Sequence, residues 1–223
     1  MSSPSNTHWL AVKRILRYLK GTAFYGLSMQ LSSTLDIQTY TNADWASCPN
    51  DRRNTSGYCI FIGPNLVSWS STKQKIVSTS NMESEYHGLA VAASEIAWIQ
   101  SLLTELCLSL TTPPLLWHDN QSATHLDVNP VFHARTKHIE LNFHFTCDKV
   151  LQNQLHIHYF PSFDQIANIF TKHISSSQFF SFWKLSIVPK PTSLRGDDRS
   201  QLHQQQKAVA TTKPRSLKNC ANS

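Results

Sequence analysis

A chain of 223 residues, 40% of them apolar, is long enough for one sizeable domain with appendages, and it has no run of about 18 apolar residues, which excludes a membrane-spanning helix. Of the 20 basic and 14 acidic residues behind the net charge of +6, seven basic and two acidic fall from Pro189 onward; 13 against 12 remain, so the pI of 9.1 does not argue for a basic binding face on the folded part. Five cysteines (Cys48, Cys59, Cys107, Cys147, Cys220) without CxxC spacing read as reduced thiols of an intracellular protein, and Met1-Ser2-Ser3-Pro4 leads into a basic amphipathic segment, not a signal peptide.

His8 to Lys20 places apolar residues at 9, 12, 15, 16 and 19 and Lys13, Arg14, Arg17 and Lys20 opposite them. That spacing predicts an amphipathic helix stopped at Gly21, with little before it to cover its apolar side. A strand is expected over Leu35–Trp45, then strands over Tyr58–Ile62 and Leu66–Ser71 around a hairpin turn at Gly63-Pro64-Asn65. From Met82 to about Leu106 the period becomes helical, with N-caps on offer at Ser78–Asn81 and Glu83 and Glu85 in the first turn. Leu115–Asp119 reads as a short buried strand and Asn120–Asp127 as a short helix. A helix over His138–Leu151 is expected to turn Ile139, Phe143 and Val150 inward, before a strand at Leu155–Phe160 and a helix at Phe163–His173. After about residue 190 the composition is that of a disordered tail. Hairpin strands beside strands joined by helical crossovers imply a mixed sheet with helices on its faces.

The polar stretch Tyr40-Thr41-Asn42-Ala43-Asp44-Trp45 closes the first of these strands, at the strand end where open α/β sheets carry their chemistry. Glu85, early in a helix, and Asp119, ending a strand, can converge on it; Asn168 has a matching position but no charge. Taken singly, each has a plainer reading: Glu83 and Glu85 as acids at a helix N-terminus, Asp119 as an N-cap. His133, His138 and His144 match no zinc spacing. Trp45, Trp69, Trp98 and Trp117 are expected in the core.

Five segments in order, YTNADWASCPNDRRNTSGYCIFIG, SWSSTKQKIVSTSNMESEYHGLA, WHDNQSA, ARTKHIELNFHF and IANIFTK, resemble the ribonuclease H domain of copia-type LTR retrotransposon Pol polyproteins over residues 35–175. Residues 1–34, with HWLAVKRILRYLKGT, resemble the end of the reverse transcriptase thumb that precedes that domain, and 176–223 resemble the polyprotein C-terminal segment. The resemblance implies an α/β ribonuclease H-like fold with a five-stranded mixed sheet in the order 3-2-1-4-5. It implies hydrolysis of RNA in an RNA–DNA hybrid by two Mg²⁺ ions on four carboxylates, and a reverse transcriptase polymerase domain as partner in the same polyprotein. By motif, the four catalytic positions fall on Asn42, Glu85, Asp119 and Asn168, and a further family acid on Asn142. The family has Asp at the first and fourth of these. Asn can ligate a cation through its oxygen, but it brings no charge and cannot bridge two ions, so metal affinity and catalysis are expected to drop. Asp44, two residues along the strand and about 6.6 Å away, does not substitute. Three outcomes stay open: an impaired hybrid nuclease, a catalytically dead module that binds nucleic acid, and a transposon fragment without function.

Overall fold

The computed structural model describes residues 3, 5–48, 50–75, 77–78, 80–120, 137–175, 178–179 and 187–189, with side chains for all of these but 137–143 and 187–189. The chain divides into two compact units, Met1–Phe24 with Pro189–Ser223, and Tyr25–Val188. In the first, helix α1 (Asn6–Thr22) starts at Ser5, whose hydroxyl accepts from the His8 N–H. It runs through Gly21, where a stop was expected, and buries none of its residues. Trp9, Leu10, Ile15, Leu16 and Leu19 are exposed along it. The expected disordered tail and the helix at 120–127 fall outside the described residues beyond Asn120 and Pro189.

The second unit opens with β1 (Tyr25–Leu27), which pairs with β7 (Ile187–Pro189) in a small sheet that the sequence did not announce. Its main sheet holds β2 (Ile37–Asp44), β3 (Thr55–Ile62), β4 (Asn65–Lys73), β5 (Leu115–His118) and β6 (His156–Tyr159), in the order β4-β3-β2-β5-β6. Counted from Ile37 as the sheet's first strand, that is 3-2-1-4-5. β2 to β4 run antiparallel and β5 and β6 add in parallel. The hairpin turns at Gly63, whose φ of 56° suits a residue without Cβ.

Helix α2 (Asn81–Glu105) covers one face. It caps on Ser80, whose hydroxyl accepts from the Glu83 N–H, and Glu85 follows beyond the first turn. Ile37, Ile60, Leu89, Ile96, Leu103, Leu116 and Leu155 form the core between helix and sheet. Thr41 Oγ1 sits 3.4 Å from the Gly88 carbonyl of α2, and a Cβ on Gly88 would lie 3.5 Å from that of Ala43. The odd residues of β2 therefore face α2, and Tyr40, Asn42 and Asp44 face the other way. Helix α3 (Lys137–Leu151) turns Phe145, Thr146 and Cys147 inward; Val150 is half-buried, and the side chains of Ile139 and Phe143 are outside the described set.

Two further expectations fail. The final helix is only α4 (Asn168–Thr171). The segment before it winds in successive tight turns, Asp164 N–H to Pro161 O and Gln165 N–H to Ser162 O, because the buried Gln165 side chain binds Trp117 O and Ala167 N–H in place of a regular helical ladder. Three of the four tryptophans are surface residues: Trp45, Trp69 and Trp98 are 47%, 51% and 57% exposed. Trp69 lies on the edge strand, and Trp45 follows β2 into a loop, its indole N–H donating to Ser78 O.

Candidate functional site

Asn42 and Asn168 meet. Both are buried, at 2% and 8% exposed, and Asn42 Nδ2 donates to Asn168 Oδ1 at 3.1 Å and to Thr171 Oγ1. Asn168 Nδ2 donates in turn to Ser162 O at 2.8 Å. What lets α4 come so close is Gly57, opposite Asn42 on β3: a Cβ there would lie 2.4 Å from Phe170 Cβ and 3.0 Å from Thr171 Cγ2. Ser71 on β4 adds a bond to Phe170 O at 2.6 Å.

Glu85 and Asp119 gather on the neighbouring strand end. Tyr40 pairs with Trp117 in the parallel register of β2 and β5, so Asn42 and Asp119 each lie two residues past the last paired rung. Glu85 Oε1 accepts from Asn81 Nδ2 at 2.6 Å, and Oε2 accepts from Nδ2 of Asn120, the residue after Asp119. Three of the four positions thus fall in two hydrogen-bonded sets, Asn42 with Asn168 and Thr171, and Glu85 with Asn81 and Asn120; Asp119, just past β5, adjoins the second set through its neighbour Asn120.

Between α2 and β5 lies His118, fully buried. Its Nδ1 accepts the Asn120 N–H at 3.0 Å. Burial pushes its pKa down, against the opposing pull of the Asp119 and Glu85 carboxylates. A histidine held neutral in the fold gains a proton on unfolding once pH falls below about 6.5. The unfolded state then binds more protons, so this contribution is complete above that pH and is lost as pH falls. Chemical denaturation at pH 7.5 and pH 5.5 is therefore expected to show a smaller loss of stability on acidification in His118→Gln than in the unchanged chain; equal losses would place the titration elsewhere.

A buried polar network braces the loop after β2 and the start of α2. Asn54, fully buried, accepts the Ala46 N–H at 2.8 Å and donates to Gln74 Oε1 at 2.9 Å and Ser78 Oγ at 2.7 Å. Gln74 Nε2 reaches Ser56 Oγ and, at 3.0 Å, the Ser84 carbonyl in the first turn of α2. Beside it, exposed Lys73 holds Asp51 at 2.7 Å, with Arg53 at 3.5 Å. Ser78 and Asn81 were expected from sequence only as N-caps, and the other supports, with the partners Asn120 and Thr171, were not singled out. Their signal was present only as polar residues flanking the strand ends.

The asparagine pair brings no charge to the site. Asn42 turns an amide N–H₂ into the site, and its neighbour's oxygen is already used. Among the described residues no group of three His, Cys, Asp or Glu is placed to hold a metal.

No family model matches the chain. Over 197 residues it is 42% identical to the retrovirus-related Pol polyprotein from transposon RE2 of Arabidopsis thaliana, covering 88% of this chain and 14% of that protein. Over 179 residues it is 33% identical to that from transposon TNT 1-94 of Nicotiana tabacum, covering 80% and 13%. The chain belongs to the retrovirus-related Pol polyproteins of transposons. It spans about one seventh of the length of these Pol relatives. In structure it is similar to LC11-RNase H1 solved in complex with RNA/DNA hybrid, with a TM-score of 0.46 and 16% identity over 61% of this chain and 94% of that one. Among the described residues of this Pol segment, no helix is long and apolar enough to cross a membrane.

Proposed function

We propose that this Pol segment is a copia-type ribonuclease H domain that engages RNA–DNA hybrid and whose hydrolytic power is much reduced. The observation that carries this reading is the meeting of Asn42 with Asn168 at the end of β2, level with Asp119, whose neighbour Asn120 holds Glu85. The positions that the resemblance makes catalytic lie at adjacent strand ends, while the charge expected of them is halved. Two anions oppose a scissile phosphate and its cations where the family has four, and electrostatic stabilisation of that kind is the largest contribution to such chemistry.

Hybrid binding has its own support. Arg52, Arg53, Lys73 and Lys75 are exposed at the same end of the sheet as Asn42, and Trp45 is exposed beside them. Cations of this kind contact phosphates, and A-form shape with 2′-hydroxyls gives the preference for RNA-containing duplex. A reverse transcriptase polymerase domain preceding residue 35, with 1–34 as the end of its thumb, is the partner that the polyprotein relatives support.

The test is fluorescence anisotropy of the purified full chain with a labelled hybrid, alongside strand-specific cleavage in Mg²⁺ and in Mn²⁺. Binding is expected to weaken as salt rises, with the log–log slope reduced by about 1 for each phosphate-contacting cation removed, as in Arg53→Gln. Cleavage is expected to be slow or undetectable. Absence of hybrid binding at low salt would overturn the reading, and so would turnover at the rate of an intact four-carboxylate enzyme.

A further inference from the structure

We infer that Asn42 and Asn168 are a matched pair that latches α4 to the sheet without any divalent cation, so that a hydrogen bond stands where the resemblance implies a metal. This goes beyond the hybrid-binding reading and does not rest on it, because it concerns how the site is held together, not what it cuts.

The orientation of each amide follows from what surrounds it. The Ser162 carbonyl can only accept, so Asn168 must give it Nδ2, at 2.8 Å. Asn168 Oδ1 then faces Asn42, and Asn42 must answer with a donor, its Nδ2 at 3.1 Å. A carboxylate can do this at neither position. An aspartate at 42 would set a carboxylate oxygen against Asn168 Oδ1. Asn168 could turn round to donate, but only by abandoning Ser162. An aspartate at 168 has no donor for Ser162 at all. With both residues aspartate, two anions would share one buried spot, at about the separation the asparagines now hold; such a pair needs a proton or a cation between them. Thr171 is less selective, since its hydroxyl can turn to accept from an amide or donate to a carboxylate.

Burial makes this consequential. At 2% and 8% exposed, neither side chain can exchange its partner for bulk water, so an unmatched group bears its desolvation cost. The latch is also the side-chain tie between β2 and α4, a helix of only four residues seated over Gly57.

Thermal melting of the full chain, in EDTA and in millimolar MgCl₂, tests the inference without any nuclease assay. The unchanged chain is expected to melt at the same temperature in both. Asn42→Asp and Asn168→Asp are each expected to melt about 5 °C lower in EDTA. The doubly substituted chain is expected to be the least stable in EDTA and to recover most of its loss in Mg²⁺. If the aspartate variants fail to fold, the unchanged chain still decides the matter, together with Thr171→Val, which keeps both carboxamides and is expected to melt slightly lower, equally in both buffers. A clear rise in the melting temperature of the unchanged chain with Mg²⁺ would overturn the latch, and so would a doubly substituted chain as stable in EDTA as the original.

Discussion

Asn54→Ala is expected to lower the stability of the chain by about 3 kcal/mol, seen as a fall in melting temperature of roughly 6–12 °C. Few single substitutions outside the apolar core should cost as much. The carboxamide has three partners, the Ala46 N–H, Gln74 Oε1 and Ser78 Oγ, all within 2.9 Å, and Asn54 is fully buried. Truncation leaves each of them without its bond in a place that water reaches poorly, and an orphaned buried group costs about 1–3 kcal/mol. The network also spans three elements: the loop after β2, the end of β4 and the first turn of α2, through Gln74 and the Ser84 carbonyl. Gln74→Ala is therefore expected to be non-additive with Asn54→Ala, with a coupling of about 1 kcal/mol or more. Because α2 carries Glu85 four residues past its first residue, the damaged network should also loosen Glu85 from Asn120. Equilibrium denaturation of the two single variants and the double decides this. A loss below about 0.5 kcal/mol for Asn54→Ala, or simple additivity, would show that the network is not the brace described.

The architecture was legible because its elements have strong periods. The alternation in β2, the hairpin at Gly63-Pro64 and the long period of α2 each predict one element, and the helical crossovers between strands then fix a mixed sheet. Elements set by tertiary contacts were not legible. Residues 163–173 carry an apolar pattern compatible with a helix, yet Gln165 finds partners in β5 and the turns win over most of the segment. The tryptophans misled because a large apolar side chain reads as core, whereas an edge strand and an outer helix face leave it in solvent. At the candidate site, motif order placed Asn42, Glu85, Asp119 and Asn168. It did not show that two of them bond to each other, since the direction of a carboxamide depends on the Ser162 carbonyl six residues earlier in the chain. Gly57 was similarly mute: its lack of a side chain matters only because Phe170 comes to lie above it.

Restoring both carboxylates, Asn42→Asp with Asn168→Asp, is expected to raise Mg²⁺-dependent cleavage of RNA–DNA hybrid by about 10²-fold or more over the unchanged chain. The scaffold for it is already present. Glu85 is tied by Asn81 and Asn120, Asp119 follows β5 level with Asn42, and Gly57 lets α4 bring residue 168 to the sheet. On the proposed reading, the two asparagines withhold charge and not placement. Each single restoration is expected to recover less than a tenth of the double, because groups serving one site act as a unit and their effects do not add. A single aspartate also breaks the amide match between positions 42 and 168 without completing the anionic set. Adding Glu85→Gln to the doubly restored chain should remove the gain, while leaving one of the Asn81 and Asn120 amides an oxygen to bind. The measurement is strand-specific cleavage of an end-labelled hybrid, with an RNA-free duplex as the control that must stay intact, and with folding verified by circular dichroism in the same Mg²⁺ buffer. If the unchanged chain already cleaves at the rate of the doubly restored one, the asparagines do not impair it. If the doubly restored chain is folded and inert, these two positions are not what limits cleavage, and the site drawn at the ends of β2 and β5 is wrong or incomplete.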